Sequence, residues 1–190
     1  AWQYTFLVPH DVKGLIKLFG SDKAFMSKLD SLFFVEGWAG DNASPDMSGM
    51  TGQYAHGNEP SHHVAYLYNY AGKPQKTQDL VHKICTELYN NSSSGYAGND
   101  DCGEMSSWFV FSSMGFYPVN PVSGEYSIGS PLFDRVAIRL ASGRTFEVRV
   151  HRKGSHGHRI KTMRLNGKAH RRYVLRHSDI MAGGVLDVYM

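Results

Sequence analysis

In several segments of residues 1–118 apolar residues recur every three or four positions, a spacing typical of helices with one buried face. Asp11, Ser21 and Ser61 each stand just before such a segment and are suited to cap its first turn. The last segment, MSSWFVFSSM, is apolar almost all round, which predicts a helix buried inside a larger helical assembly. The pattern predicts helices over about residues 12–19, 21–34, 61–71, 77–90 and 105–114, the third and fourth forming an antiparallel pair.

Beyond Pro118 the period changes from helical to alternating, with apolar residues opposite Arg or Lys. Asn166-Gly167 is the dipeptide typical of a type I′ hairpin, and Gly183-Gly184 marks a turn before the last segment. We predict strands over about residues 126–128, 135–140, 145–151, 160–165, 172–176 and 185–190. The sequence thus predicts a mixed fold, in which a helical part over 1–118 is followed by a small antiparallel β module over 119–190.

Residues 35–60 show no clear periodicity and contain several glycines and two prolines. Loops of this length in compact domains are usually either functional or disordered. Trp38, Tyr54 and His56 are costly to leave in water, which argues against disorder. We therefore expect an ordered loop that helps to form a site.

The segment GYAGNDDCGEMSSW, residues 95–108, places two adjacent carboxylates in a glycine-rich turn just before the apolar helix. Its glycines allow a tight, irregular path that presents side chains to solvent or to a ligand. Asp100 and Asp101 repel each other, so the pair suggests a site that a ligand or a proton uses. The structural alternative is an N-cap for the following helix, which requires no chemistry.

The formal net charge of +3 conceals a division between the two parts of the chain. Residues 1–130 hold 7 Lys or Arg against 13 Asp or Glu, whereas residues 131–190 hold 13 against 4. A basic block of this kind suits a polyanion partner. Because Arg and Lys alternate there with apolar residues at strand spacing, we favour a solvated sheet face and expect no nucleic-acid partner.

The two cysteines, Cys85 and Cys102, are too few for a disulfide framework and lack zinc-site spacing, so a single disulfide or two free thiols remain as alternatives. No stretch approaches the length of a transmembrane span. The N-terminus has neither an initiator Met nor the regions of a signal peptide. We therefore expect the chain to be a piece of a longer protein.

Several long blocks occur in the order found in a known family: AWQYTFLVPHDVKGLI, GQYAHGNEPSHHVAYLYNYAG, GNDDCGEMSSWFVFSSMGFYPVNPVSGEYSIGSPLFD and HSDIMAGGVLDVYM. Together they resemble the C-terminal part of the glycoside hydrolase family 92 α-mannosidases. The resemblance implies a calcium-dependent, inverting exo-α-mannosidase, in most members acting on α-1,2 linkages. It also implies an N-terminal β-sandwich on an (α/α) barrel of six helical hairpins, of which this chain would supply the last hairpins.

The resemblance also implies roles for individual residues. Asp101 occupies the position of the general base, with Asp100 and Asn99 beside it, and the general acid lies before Ala1. Inverting hydrolysis needs its two carboxyl groups on opposite faces of the sugar, so two neighbouring acids in one turn serve the base side only. Asn58 and Glu59 resemble the Ca²⁺ site, which suits a cation that prefers oxygen ligands.

Other candidate residues keep two interpretations each. His56, Gln3 and Trp108 line the sugar subsite or belong to the core. His62 and His63 are adjacent, so on a helix they point about 100° apart and cannot easily share one metal ion.

The expected partners are mannose-containing glycans, the N-terminal β-sandwich of the same protein and, for the isolated chain, a second copy. The resemblance implies a secreted or periplasmic bacterial enzyme, and we expect the isolated chain to be inactive because the acid and the sandwich are missing. A non-catalytic carbohydrate-binding module and a polyanion-binding module are the alternative functions.

Overall fold

Two capped helices open the chain, as the sequence predicts. The computed structural model describes residues 2–36, 47–154 and 157–190. Helix α1 spans Val12–Leu18 and helix α2 spans Asp22–Phe34. The side chains of Asp11 and Ser21 accept hydrogen bonds from amides three residues further on, which satisfies donors that a helix N-terminus leaves free. Both caps are therefore confirmed.

The helix predicted over 61–71 is wrong in type. The chain forms two short 3-10 helices there, Glu59–Ser61 and Val64–Asn69. The Ser61 hydroxyl donates to the carbonyls of Ala55 and Asn58 and caps no amide. The segment is buried on nearly every side, so its path follows contacts around it more than its own helical period.

Two further α-helices complete the helical part. Helix α3 spans Pro74–Glu87, with Pro74 in its first turn, where the missing amide hydrogen costs nothing. Pro74 therefore begins this helix, and α3 starts and ends three residues earlier than predicted. Helix α4 spans Glu104–Met114 and ends at Gly115, whose φ of +105° is suited to a helix C-cap. The predicted apolar helix is confirmed.

The strands form a five-stranded sheet, a three-stranded sheet and one small hairpin. The small hairpin joins β1 (Met50–Thr51) and β2 (Tyr54–Ala55). The three-stranded sheet has the order β3 (Phe116–Tyr117), β4 (Glu125–Ile128), β9 (Val174–Arg176). The five-stranded sheet has the order β5 (Arg135–Arg139), β6 (Thr145–His151), β10 (Gly184–Tyr189), β7 (Thr162–Leu165), β8 (Lys168–His170). A short 3-10 helix (Gln3–Phe6), another (Pro121–Ser123) and α5 (His177–Met181) complete the elements of the described residues.

The prediction that all strands run antiparallel is wrong for one pair. Strand β10 lies between β6 and β7, parallel to β6 and antiparallel to β7. Alternating polarity fixes which face of a strand is buried but not the direction of its neighbours, so the sequence pattern could not show this. The Asn166-Gly167 hairpin is confirmed and joins β7 to β8, with both residues at positive φ. The predicted strand 172–176 is shorter, as β9, and belongs to the other sheet.

Two clusters of buried side chains form the core, and α4 contacts both. Trp108 and Phe109 pack in the cluster of the helical part, whereas Phe111 and Met114 pack against the buried face of the β module. Between them Val110 stays 53% exposed. Helix α4 therefore holds the acidic turn at its N-terminus against both parts of the chain.

In the described part of the loop predicted over 35–60, β1 and β2 form their hairpin and lead to Gly57. Trp38 lies outside the described residues. Cys85 is buried and Cys102 exposed, and both are free thiols.

Candidate functional site

The acidic turn has a strained backbone. Asp101 and Cys102 have φ values of 45° and 59°, in the left-handed region that residues with a Cβ rarely adopt. Gly103 follows at a φ of 97°, where glycine carries no such cost. Strain of this kind persists only where surrounding structure enforces it, and it concentrates at functional sites. The Asp101 side chain is exposed to solvent.

Asp100 and Asn99 build this turn. One carboxylate oxygen of Asp100 accepts hydrogen bonds from the Ser106 amide, at 2.9 Å, and from the Ser106 hydroxyl, at 2.7 Å. It therefore caps the first turn of α4 and complements the positive end of the helix dipole. The Asn99 side chain accepts a hydrogen bond from the Asp101 amide at 3.0 Å. The cap interpretation fits Asp100, and the two neighbouring carboxylates have different surroundings.

A second turn, carrying Glu59, packs directly against the acidic turn. A Cβ on Gly57 would overlap the Ser48 hydroxyl and lie 3.1 Å from the Ala97 carbonyl oxygen. A Cβ on Gly98 would lie 2.8 Å from the same hydroxyl. Only glycine permits this approach of two backbones, so Gly57 and Gly98 are the local reason that the Asn58-Glu59 and Asp101 segments meet.

Hydrogen bonding with the neighbouring Asp101 carboxyl is the largest cause of a raised pKa at Glu59, and partial burial acts in the same direction. The negative charges of Asp101 and Glu104 raise the pKa of Glu59 further. The site thus concentrates negative charge, which a cation would neutralise.

The Asn58 backbone carbonyl accepts hydrogen bonds from the amide and the hydroxyl of Ser61, which fixes the start of the Glu59 turn.

Beneath the two turns lies a buried aromatic platform that contains His56 and Trp108. Neither residue has accessible surface in this chain. The His56 ring accepts from the Tyr54 hydroxyl at Nδ1, at 2.8 Å, and its Nε2 lies 2.7 Å from the Tyr89 hydroxyl. Because the Tyr89 hydroxyl donates to the Met105 carbonyl, it accepts from Nε2–H, and the ring is held neutral.

Burial is the largest cause of the low pKa of His56, about 2, and the charge of His62 acts in the same direction. The Trp108 ring packs edge-on against His56 at 4.4 Å between centroids. In this chain His56 is therefore part of the buried platform. Its contact with a sugar stays a prediction.

Trp108 and His62 tie the platform to the turns above it. The Trp108 indole donates to the His62 carbonyl at 3.0 Å, and His62 Nε2 donates to the His56 carbonyl at 3.0 Å. His62 Nδ1 is buried without a hydrogen-bond partner among the described residues and lies 3.5 Å from a carboxylate oxygen of Glu104. Burial lowers the pKa of His62. His63 is held separately, its Nε2 donating to the Phe6 carbonyl, so the two histidines point to different partners.

Glu104 was missed in the sequence, where it resembles an ordinary acidic residue in the first turn of a helix. The structure places it beside His62 and in the wall of a cavity of about 400 Å³ that Glu59 and Trp108 also line. Its spacing of three residues from Asp101 is the signal that could have included it in the site.

Gln3 lies in a 3-10 helix that contacts the turn of Glu59, and its side-chain amide donates to the Gln53 carbonyl at 3.1 Å.

The candidate site therefore combines Asp101, Glu59 and Glu104 above a neutral histidine–tryptophan platform. No group of three or more His, Cys, Asp or Glu side chains in the described residues is placed to hold a metal ion by itself. Within the same ranges, no helix combines the length and apolar character needed to cross a membrane.

Comparison with known proteins identifies the relatives of this chain. It is 34% identical over 190 residues to an uncharacterized secreted glycosidase of Arthroderma benhamiae, covering 98% of this chain and 22% of that protein. A family GH92 α-mannosidase from Bacteroides thetaiotaomicron, in complex with mannoimidazole, superposes with a TM-score of 0.94 at 40% identity, covering all of this chain and 25% of that one. An inverting GH92 mannosidase from the same species gives a TM-score of 0.86 at 38% identity, covering all of this chain and 27% of the other.

The chain thus spans about a quarter of the length of these relatives. Its residues 1–190 match the glycosyl hydrolase family 92 catalytic domain. The resemblance found in the sequence is therefore confirmed, and the chain belongs to glycosyl hydrolase family 92.

Proposed function

We propose that this chain supplies the general-base side of the active site of an inverting exo-α-mannosidase, with Asp101 as the base. The observation that carries the proposal is the contrast between the two acids of the turn. Asp100 is occupied by two hydrogen bonds from Ser106, whereas Asp101 is exposed, backbone-strained and directed at Glu59. An exposed carboxylate that no helix cap occupies is what activation of a water molecule requires.

Inverting hydrolysis needs a carboxylic acid on the other face of the sugar, with room for the attacking water between the two groups. Glu59 and Glu104 lie on the same side as Asp101, so we assign the general acid to sequence outside residues 1–190. The relatives, of which this chain spans about a quarter, leave ample length for it. The isolated chain is accordingly expected to be inactive.

Asn58 and Glu59 fit a calcium site as donors of oxygen. Ca²⁺ takes six to eight oxygen ligands, so two from this turn leave positions for sugar hydroxyls, water and other parts of the protein. After hydrogen bonding with Asp101 and burial, the negative charges of Asp101 and Glu104 also raise the pKa of Glu59, and a cation would compensate these charges. When bound, the ion supplies positive charge that polarises the sugar hydroxyls. Gln3 lies against this turn and is expected to orient the substrate.

The remaining architecture follows the family. We propose that 1–118 forms the last hairpins of an (α/α) barrel and 119–190 a terminal β module, with an N-terminal β-sandwich covering the exposed face of α4. Mannose-containing glycans with α-1,2 linkages are the proposed substrates. The relative named as secreted supports export from the cell. A second copy of the chain could cover the same face only when the rest of the protein is absent.

The test uses the full-length protein that contains these residues. Mannose release from an α-1,2-mannobioside is measured with calcium and then with EGTA, for the natural protein and for Asp101→Asn. We expect EGTA to abolish release and Asp101→Asn to lower kcat by a factor of about 100 to 10,000. Unchanged turnover in Asp101→Asn would refute the assignment of the base. Binding of the disaccharide without any cleavage by the natural protein would instead favour a non-catalytic carbohydrate-binding module.

A further inference from the structure

A long basic segment runs through the β module. Residues 148–178 contain ten Lys or Arg and no Asp or Glu. The cations of this segment have no acidic residue between them in the sequence. A carboxylate partner therefore has to come from outside residues 148–178.

On one half of the five-stranded sheet such partners exist. Arg135 of β5 and Arg149 of β6 both bind Glu147, at 2.6 Å and 2.7 Å. His151 of β6 binds Asp187 of β10 at 2.8 Å. The solvated sheet face expected from the sequence describes this half, and carboxylates pair with its basic side chains.

The β7–β8 hairpin differs. Lys161, Arg164, Lys168 and Arg171 are exposed there, and none has a carboxylate within 4.0 Å among the described residues. Asp187 stands opposite Arg164 in the strand register, but its carboxylate is bonded to His151. Four uncompensated cations on one short hairpin create a local positive potential that attracts anions.

The cations surround a concave surface. A groove of about 390 Å³ is lined by Lys161, Arg164 and Arg171, together with the rings of His170 and Tyr173, and no described lining residue is acidic. His170 Nε2 donates to the Val174 carbonyl at 2.9 Å, which fixes the orientation of that ring. Planar rings beside cationic side chains suit a ligand with flat, partly apolar sugar faces and negative substituents.

We propose that the groove of the β7–β8 hairpin binds an anionic glycan, one that carries sulfate, phosphate or carboxylate groups on its sugars. The preference for a glycan over other polyanions rests on the proposed function, because the same chain would then hold a charged glycan while the acidic site trims its mannose ends. A purely protective role for edge charges accounts for Lys168, which lies on the edge strand β8. It does not account for the groove that Lys161 and Arg171 line.

The experiment measures binding of the full-length protein to heparin, as the sulfated glycan, at about 50 mM and about 200 mM salt. Neutral α-mannan, single-stranded DNA and vesicles containing phosphatidylserine are compared under the same conditions. The test variant is the triple substitution Lys161→Gln, Arg164→Gln and Arg171→Gln, which removes the cations that line the groove. Its matched control removes the same charge from exposed lysines of the helical part.

The control substitutions are Lys17→Gln, Lys23→Gln and Lys73→Gln. We expect heparin to bind more tightly than the other three ligands, with a steep loss at higher salt, and the test variant to bind it about tenfold more weakly. The control variant should bind like the natural protein. Absence of heparin binding at low salt, equal loss in both variants, or tighter binding of DNA or vesicles would overturn the proposal.

Heparin binding by the hairpin and mannose release by the acidic site can be tested independently. The test variant should release mannose from the small, neutral mannobioside at the natural rate, because the substrate lacks the charge that the groove recognises. A protein that binds heparin through the hairpin but releases no mannose would refute the mannosidase and leave the anion-binding groove in place.

Discussion

Replacing Asp101 by glycine should stabilise the protein while it abolishes activity. Asp101 has a φ of 45°, so glycine relieves a left-handed conformation that costs a residue with a Cβ about 1–2 kcal/mol. The substitution also removes a carboxyl group from beside Glu59. Part of the gain is offset because glycine makes the unfolded chain more flexible. We expect a net rise of about 1 kcal/mol in the free energy of unfolding.

Cys102 provides a matched control, since it has a φ of 59° and an exposed free thiol but no carboxylate. Cys102→Gly should give a similar gain in stability and retain mannose release. Comparing the two variants separates relief of backbone strain from loss of the proposed base.

Both variants are measured in the full-length protein, by denaturant unfolding with EGTA present, so that cation binding at Glu59 does not contribute to stability. Mannose release is then measured with calcium. The reasoning fails if Asp101→Gly retains turnover within a few-fold of the natural protein. A fall in stability in both glycine variants would show that the turn is not strained.

Three further changes test the surroundings of the site. Asp100→Ala should lower the free energy of unfolding by about 1–3 kcal/mol, measured in urea, because it removes both hydrogen bonds that cap α4 at Ser106. Gly57→Ala should lower it by about 1–3 kcal/mol and reduce mannose release, since the new methyl group would push the Glu59 turn away from the acidic turn. Stability should fall as the pH drops below about 6.5, because His56 stays neutral in the folded state and takes up a proton on unfolding.

The sign of the pH effect follows from the lowered pKa of His56. Between its folded pKa of about 2 and its ordinary value, the unfolded state binds more protons, so stability increases with pH by up to about 1.4 kcal/mol per unit. Urea midpoints that do not change between about pH 6.5 and pH 4.5 would contradict this.

Two of these predictions have internal controls. Ser106→Ala removes only the hydroxyl donor to Asp100 and should cost less than Asp100→Ala. Gly157→Ala places a methyl group 3.6 Å from its nearest neighbour and should leave stability nearly unchanged. A larger effect at Gly157 than at Gly57 would refute the argument from close approach.

Short-range signals predicted the parts of the fold that short-range physics controls. Caps at Asp11 and Ser21 and the Asn166-Gly167 turn depend on residues within a few positions of each other, and all three are present. The 3-10 geometry of Val64–Asn69 and the parallel direction of β10 depend on contacts with distant segments. Local periodicity of the sequence therefore predicts neither the 3-10 geometry nor the strand direction.

The candidate site shows the same limit. The paired acids marked the turn, but their sequence alone could not say which one is occupied by a cap. That distinction depends on Ser106, six residues beyond Asp100, and on the strain at Asp101. Glu104 and the unpartnered Nδ1 of His62 became visible only when the fold brought them to 3.5 Å.

The buried platform explains how a strained turn can be maintained above it. His56 is fixed through hydroxyls on both ring nitrogens, and one of these, from Tyr89, also donates to the Met105 carbonyl in the first turn of α4. Trp108, one turn further along α4, bonds to the carbonyl of His62, which follows Glu59 by three residues. The start of α4 and the Glu59 turn are thus held to one rigid base from below. The left-handed Asp101 lies where these two constraints meet, so the fold can enforce the conformation that exposes its carboxylate.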